Sequence, residues 1–315
     1  MSCGHTITAS STRTRKERSH AGDGSIGCSR SKHMKSLLAP TIHGVVEYTW
    51  RGDGDPILVL HGGHSNCHEE FGYQPLLARG FSLITPSRPG YGRTPLGTNG
   101  PAQATAQLMI GLLDHLRLDA VHLMGISAGG PTALALAAHF PGRTKKLVLE
   151  SAVTQVWLTP EDEAYRRAQR IFHPRLQAVS WALLRTLATL APQTVTRMMF
   201  QELSSAPYRA ETITPGQVKE IRRMIRRQSS GAGFLNDLEQ RVEPASLEQI
   251  QAPTLILHSR NDHSVPVEHA DHADKLIGDT TLHLLDNEWG HLIWLDRLDE
   301  VTEQVASFLH GSESE

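Results

Sequence analysis

The chain contains 315 residues, of which 39% are hydrophobic and 20% are charged, and its 31 basic and 33 acidic side chains nearly cancel. This length suits one large α/β domain with an insertion, and the charge balance gives no electrostatic basis for binding nucleic acid or an anionic membrane. The apolar runs are far shorter than the ~20 residues of a membrane span. The three cysteines, Cys3, Cys28 and Cys67, predict neither a disulfide framework nor a zinc site, so we expect a cytoplasmic protein without a metal.

The first segment, residues 1–35, differs from everything that follows it. Serine, threonine, glycine, arginine and lysine dominate there, and large apolar side chains are scarce. Such a composition cannot bury enough surface to offset the entropy lost on ordering. We therefore predict a disordered N-terminal extension, with order beginning near Thr41.

Short apolar segments that alternate with helical patterns follow. Residues 45–50 alternate like a strand, whereas residues 57–60, 81–85 and 146–150 are short and almost wholly apolar. Leucines at helical spacing occupy one face of residues 102–116. This pattern predicts an α/β fold with a doubly wound, mostly parallel sheet that is covered on both faces.

The alternation stops after Ser151 and resumes at residue 254. Between these points we find no strand pattern but four helical ones, and strands are again predicted at residues 254–258 and 281–285. We therefore predict a core formed by residues 36–151 and 250–315 and a helical cap formed by residues 152–249. The cap helices are expected at residues 161–172, 177–190, 193–201 and 217–229. The four arginines of the last pattern are expected to form a solvated face.

The segment Val121–Gly130 is the one around which the chain is organised. An apolar strand ends in Gly125-Ile126-Ser127-Ala128-Gly129, and an alanine- and leucine-rich helix follows. This is the Gly-x-Ser-x-Gly pattern in the strand–turn–helix context that it requires. The tight turn exposes the Ser127 hydroxyl near the positive end of a helix dipole. Ser127 is therefore the candidate nucleophile.

A serine nucleophile needs a base, and the base needs an acid that orients it. In an open α/β sheet such groups gather at the carboxyl ends of the strands. Asp262 follows the strand at residues 254–258, and His291 follows the strand at residues 281–285. We predict that these two complete a triad with Ser127. Two rival acids remain open: Glu150, at the end of the preceding core strand, and Asp286, which is nearer to His291 in the sequence.

The order Ser127, Asp262, His291, the Gly-x-Ser-x-Gly turn and the His61-Gly62-Gly63 loop resemble the α/β-hydrolase superfamily, in particular its capped serine hydrolases. An Arg-Pro-Gly-Tyr-Gly segment of that family is present at residues 88–92, although Ser87 stands where the family usually has aspartate. The resemblance covers about residues 41–310. It implies that His291 takes the Ser127 proton and that Asp262 holds the imidazole. It also implies an oxyanion hole formed by the backbone N–H groups of Ala128 and Gly63.

Two residues are candidates for the substrate pocket. His64 follows the oxyanion loop, and Trp157 lies at the start of the cap. The cap is rooted at the edge of the sheet where the triad is expected, so its apolar side chains should line a pocket with Ser127. The cap residues considered for this role are Trp157, Phe172, Trp181, Met198, Met199 and Phe200. His61 is expected to anchor its own loop.

The function that we expect is hydrolysis of a small or medium carboxylic ester through an acyl-enzyme on Ser127, with no cofactor. Thioester, lactone, amide or peptide cleavage, carbon–carbon hydrolysis and perhydrolysis use the same fold and remain open. So do an acyltransferase, in which an alcohol replaces water, and a ligand receptor without turnover. The expected partner is a small-molecule substrate, and a homodimer is among the possible oligomeric states.

Overall fold

The computed structural model describes residues 35–70 and 73–311. The predicted disordered extension, residues 1–35, lies outside the described residues except for Lys35. Within the described ranges, every helix is too short or too polar to cross a bilayer.

Within residues 35–70 and 73–311, eight strands form one mostly parallel sheet, and the predicted mostly parallel sheet is thereby confirmed. Their spatial order is β1-β2-β4-β3-β5-β6-β7-β8, in which β1 and β2 run antiparallel to their neighbours and β3 to β8 are parallel to one another. The bounds are β1 Leu37–Thr41, β2 Gly44–Arg51, β3 Asp55–Leu60, β4 Phe81–Pro86, β5 Val121–Ile126, β6 Thr144–Glu150, β7 Thr254–Ser259 and β8 Thr280–Leu285.

Strand β1 corrects the prediction that order begins near Thr41. It pairs with β2 from Leu37 opposite Tyr48 to Thr41 opposite Gly44. Ala39 is the one residue of the strand that is fully buried. An edge strand that buries a single side chain leaves no apolar run in the sequence, so periodicity cannot reveal it.

The part of the chain that the structure describes contains eleven α-helices. The longer ones in the predicted cap match the predicted patterns closely, whereas three short helices of four to six residues were not predicted because they span too few residues to show a period. The bounds are α1 Gln74–Leu77, α2 Ala102–His115, α3 Gly130–His139, α4 Glu163–Ile171, α5 Gln177–Leu190, α6 Pro192–Leu203, α7 Pro215–Arg227, α8 Gly233–Leu238, α9 Pro244–Leu247, α10 Glu268–Leu276 and α11 Trp294–His310.

The sheet is packed on both faces. Helices α2, α3 and α10 cover one face with buried leucines and alanines, and α1 and α11 cover the other. Each buried leucine, isoleucine or valine contributes about 1.5–3 kcal/mol of transfer free energy. Helices α4 to α8 leave the core after β6, whereas α9 packs on α3 and α10 before the chain re-enters the sheet at β7.

The basic face of α7 differs from the prediction of a solvated patch. Arg223 and Arg227 both pair with Glu70 of the core, and the Arg227–Glu70 distance is 2.7 Å. Arg51 of β2 lies 3.9 Å from the same carboxylate. The patch therefore helps to attach α7 to the sheet domain.

Candidate active site

Ser127 occupies a strained turn between β5 and α3. Its φ is +50°, a left-handed conformation that costs a residue with a side chain ~1–3 kcal/mol. The flanking glycines make room for the turn. A Cβ on Gly125 would lie 2.6 Å from the Ala133 Cβ, and one on Gly129 would lie 2.1 Å from the Leu60 carbonyl oxygen. The sequence pattern therefore reflects close packing on both sides of Ser127.

A continuous chain of hydrogen bonds joins Ser127, His291 and Asp262. The Ser127 Oγ lies 2.9 Å from His291 Nε2, and His291 Nδ1 lies 2.8 Å from Asp262 Oδ2. The other carboxylate oxygen accepts the backbone N–H groups of Ser264 and Val265 at 2.9 and 2.8 Å. An ionised carboxylate only accepts, so the proton of the neutral imidazole lies on Nδ1 and Nε2 is free to accept from Ser127.

The rival acids lie elsewhere. Asp286 has a 78% exposed side chain and faces Arg260 at 3.5 Å. Glu150 is buried, and its Oε2, like the Tyr73 hydroxyl, has no hydrogen-bond partner within the described chain. Burial raises the pKa of the Glu150 carboxyl to about 7. The structure thus brings Asp262, rather than Glu150 or Asp286, to His291.

The buried Glu150 carboxyl predicts a pH-dependent stability. Its folded pKa, about 7, lies above its ordinary value of 4.5. Between these values the unfolded chain ionises first, so the free energy of unfolding should fall as pH rises, by about 3 kcal/mol in all. Glu150→Gln should remove this loss of stability at high pH. The thermal midpoint of the variant minus that of the wild type should therefore be larger at about pH 8 than at about pH 5.

Glu69 provides an internal reference for this measurement. Burial also raises the pKa of the Glu69 carboxyl to about 7, and this group is present in both proteins. Its contribution therefore cancels when the two midpoints are subtracted. Equal midpoint differences at both pH values would show that Glu150 is ionised in the folded protein.

The predicted oxyanion loop lies against the serine. Gly62 and Gly63 line the same cavity as Ser127, and a Cβ on Gly62 would lie 3.1 Å from the Ser127 Cβ. Ala128 follows Ser127 directly and is buried. Gly63 therefore lies in the wall of the cavity that Ser127 also lines, and Ala128 lies next to Ser127 in the chain.

His61 is fully buried and is bound to its own loop. Its Nδ1 lies 2.8 Å from the Gly62 carbonyl oxygen, and its Nε2 accepts the Arg88 backbone N–H at 3.0 Å. Burial, together with the Arg88 charge, holds the pKa of His61 well below its ordinary value. A neutral imidazole with both nitrogens occupied acts as a loop anchor rather than as a base.

His64 lines the cavity and is stacked on aromatic side chains. Its ring centroid lies 3.7 Å from that of Phe234, and Nδ1 lies 2.9 Å from the Ser230 hydroxyl. The Ser230 hydroxyl accepts the Trp181 indole N–H at 2.9 Å, so its own proton is free to be donated to His64 Nδ1. Burial lowers the pKa of His64 to about 3. His64 is therefore a neutral, positioned member of the cavity wall.

A cavity of about 700 Å³ extends from Ser127 and His291 into the helices α4 to α8. Trp157 lines it and donates its indole N–H to the Ser264 carbonyl at 2.7 Å. Phe200 does not line it and instead packs on Trp289. The other cap residues considered from the sequence, Trp157, Phe172, Trp181, Met198 and Met199, all line the cavity.

One group of potential metal ligands is present in the described residues. Donor atoms of Glu47, Cys67 and His68 lie within 4.8 Å of one another. The Glu47 carboxylate already accepts hydrogen bonds from Ser87 and Arg93, and burial raises the pKa of the Cys67 thiol to about 11. A protonated thiol and a paired carboxylate are poor metal ligands. Hydrogen bonds explain part of the cluster instead, because the Ser87 hydroxyl donates to Glu47 at 3.1 Å and accepts the Cys67 backbone N–H at 3.0 Å.

Comparison with known proteins identifies the family of the fold. The sequence model of the alpha/beta hydrolase fold matches residues 55–298. "Uncharacterized hydrolase YcgS" of Bacillus subtilis (strain 168) is 43% identical over 259 residues, which cover 81% of this chain and 90% of that protein. The 2-hydroxy-6-oxo-2,4-heptadienoate hydrolase of Pseudomonas putida is 28% identical over 274 residues, covering 82% and 90%.

The fold comparison leads to the same family. An alpha/beta hydrolase fold protein from Nakamurella multipartita superposes with a TM-score of 0.74 at 25% identity, covering 89% of this chain and 100% of that one. The family match extends over most of the chain, and the relative from Bacillus subtilis is also described as a hydrolase. The chain therefore belongs to the α/β-hydrolase family and is a hydrolase of that fold.

Proposed function

We propose that this protein hydrolyses small or medium carboxylic esters through an acyl-enzyme on Ser127. The observation that carries the proposal is the hydrogen-bonded chain Ser127–His291–Asp262, which opens into the cavity. His291 takes the serine proton as Ser127 attacks the carbonyl carbon, and then returns it to the leaving alcohol. The N–H groups of Gly63 and Ala128 bind the oxyanion. Water then releases the acid by the same steps, with no cofactor.

The lining of the cavity supports a neutral, apolar substrate. Most of its lining residues are apolar, and leucine, methionine, tryptophan and phenylalanine are the largest of them. Arg167 is the one lysine or arginine among the described lining residues, and it is already paired with Glu202 at 2.7 Å. A buried carboxylate on the substrate would therefore lack a free partner. Methionine side chains adapt to different acyl shapes, which suits a range of chain lengths.

Carbon–carbon hydrolysis is the second candidate. The relative from Pseudomonas putida acts, by its name, on a dienoate, which carries a carboxylate. That relationship favours this reaction, whereas the paired state of Arg167 favours a neutral ester. Carbon–carbon hydrolysis therefore predicts faster turnover of a substrate that carries a carboxylate, whereas ester hydrolysis predicts faster turnover of a neutral substrate of the same length.

The test combines labelling and turnover. A fluorophosphonate should label the wild-type protein and should not label Ser127→Ala. Esters of graded acyl length should then be hydrolysed faster than a 2-hydroxy-6-oxo-dienoate. Faster cleavage of the dienoate would replace the ester proposal by the carbon–carbon one. Labelling without turnover of either substrate would favour a receptor, and ester products formed with added alcohol would identify an acyltransferase.

The cavity should limit the length of the acyl group. Leu187 of α5 lines it, so Leu187→Trp should fill part of the volume and shift the preferred acyl chain to shorter lengths. Relative kcat/KM across the ester series measures this shift. Leu190→Trp is the matched control, because Leu190 lies on the same helix but is 79% exposed. Equal length profiles for the two variants would exclude this cavity as the acyl site.

A further inference from the structure

The peptide between Gly62 and Gly63 is held from its carbonyl side. Because His61 Nε2 accepts the Arg88 backbone N–H, the imidazole proton lies on Nδ1 and is donated to the Gly62 oxygen at 2.8 Å. The Arg88 guanidinium donates to the same oxygen at 3.3 Å. In a trans peptide the C=O and the N–H point in opposite directions. Fixing the Gly62 carbonyl therefore fixes the direction of the Gly63 N–H.

Arg88 is in turn fixed by the cap. Its two terminal nitrogens donate to the two carboxylate oxygens of Asp237 in α8, at 2.6 and 2.7 Å. The Arg88 and Asp237 side chains are only 4% and 1% exposed, so water does not weaken this pair of parallel hydrogen bonds, called the fork below. Tyr91 donates to Asp237 at 2.5 Å, and the third guanidinium nitrogen, Nε, donates to the His61 carbonyl at 2.7 Å.

Helix α8 also packs directly on the loop. A Cβ on Gly63 would lie 3.0 Å from the Phe234 ring. The backbone N–H of Gly233 donates to the Gly90 carbonyl at 3.2 Å, next to Tyr91. The helix that carries Asp237 is thus attached to the loop by apolar contact as well as by the buried ion pair.

We propose that Asp237 and Arg88 are positioning residues for the Gly63 N–H, so that α8 of the cap controls stabilisation of the transition state. This inference rests on the proposed function, because it takes Gly63 as an oxyanion donor. Two donors on the Gly62 oxygen also polarise the peptide, which makes its N–H a stronger donor. Neither side chain needs to touch the substrate for this effect.

Two variants test the proposal. Asp237→Asn removes the charge that holds the fork, and Arg88→Lys keeps a cation beside Asp237 but cannot form the fork and also reach both carbonyls. In each, kcat for the preferred ester should fall about 10- to 100-fold, with KM changed by less than about twofold. Arg88→Lys keeps the test decisive if Asp237→Asn, which leaves a buried cation unpaired, does not fold.

A pair of inhibitors separates positioning from general damage. The Ser127 Oγ adds to the carbonyl carbon of an octyl trifluoromethyl ketone and passes its proton to His291, so that the ketone oxygen becomes an oxyanion. The octyl methyl ketone of the same length binds mainly as the unreacted ketone. The inhibition constant of the first should rise by the same factor as kcat falls, and that of the second should not change. Glu239→Gln makes the same acid-to-amide change at the exposed end of α8. It should leave kcat and both inhibition constants unchanged.

The possible failures are distinguishable. Folded variants with wild-type kcat, or with both ketones weakened equally, would overturn the positioning role while the hydrolase proposal stands. A wild-type protein that neither reacts with a fluorophosphonate nor turns over any ester would remove the proposed function, and the inference with it.

Discussion

Replacing Ser127 by alanine should lower kcat for ester hydrolysis by a factor of about 10⁴–10⁶. The substitution removes the oxygen that attacks the carbonyl carbon in the proposed mechanism, while His291 and Asp262 stay in place. The fold should be preserved, because the Ser127 hydroxyl is hydrogen-bonded to the His291 side chain rather than to the strands and helices of the core. Steady-state hydrolysis and fluorophosphonate labelling measure the loss, and the thermal midpoint reports on the fold.

A serine outside the cavity serves as the matched control. Ser246 of α9 lies in a helix that packs on the core, and Ser246→Ala removes the same hydroxyl group without touching the cavity wall. Its activity and labelling should equal those of the wild type. If Ser127→Ala kept even a tenth of the wild-type rate, Ser127 would not be the nucleophile.

The parts of this molecule that could be predicted are those with a strong local pattern. Strands buried on both faces appear in the sequence as short apolar runs, and β5 and β7 were placed in this way. Parallel strands bring their carboxyl ends to one edge, so loops that follow different strands must meet there. This rule led to Asp262 and His291, although they are 29 residues apart and both are far from Ser127 in the sequence.

The parts that could not be predicted depend on contacts between distant segments. Helix α8 has six residues, too few to show a period, and its Asp237 reads as one acid among many. Only the folded chain places it against Arg88, 149 residues away. The tautomers of His61 and His64 likewise follow from partners that sequence spacing cannot identify. Apolar cap residues were recognised as a group, but which of them face the cavity is decided by packing.

Asp262→Asn should lower kcat by a factor of about 10⁴, and Glu150→Gln should leave it nearly unchanged. The amide oxygen of asparagine can still accept the Ser264 and Val265 N–H groups, so its NH₂ group would face His291. A donor at that place forces the imidazole proton onto Nε2. The protonated Nε2 can then no longer accept the hydrogen bond from Ser127. Glu150 lacks any such contact with the imidazole, so its amide should be tolerated. Initial rates at saturating ester measure both effects.

Asp286→Asn completes this set of acid-to-amide changes. Asp286 lies five residues before His291, but its side chain is exposed and faces Arg260. We expect wild-type rates from this variant, because the orientation of the imidazole depends on contact and not on proximity in the sequence. The Ser127 labelling rate should follow the same order, slow only in Asp262→Asn. Should Glu150→Gln or Asp286→Asn be the more damaging change, the acid would have to be reassigned, whereas the roles proposed for Ser127 and His291 would stand.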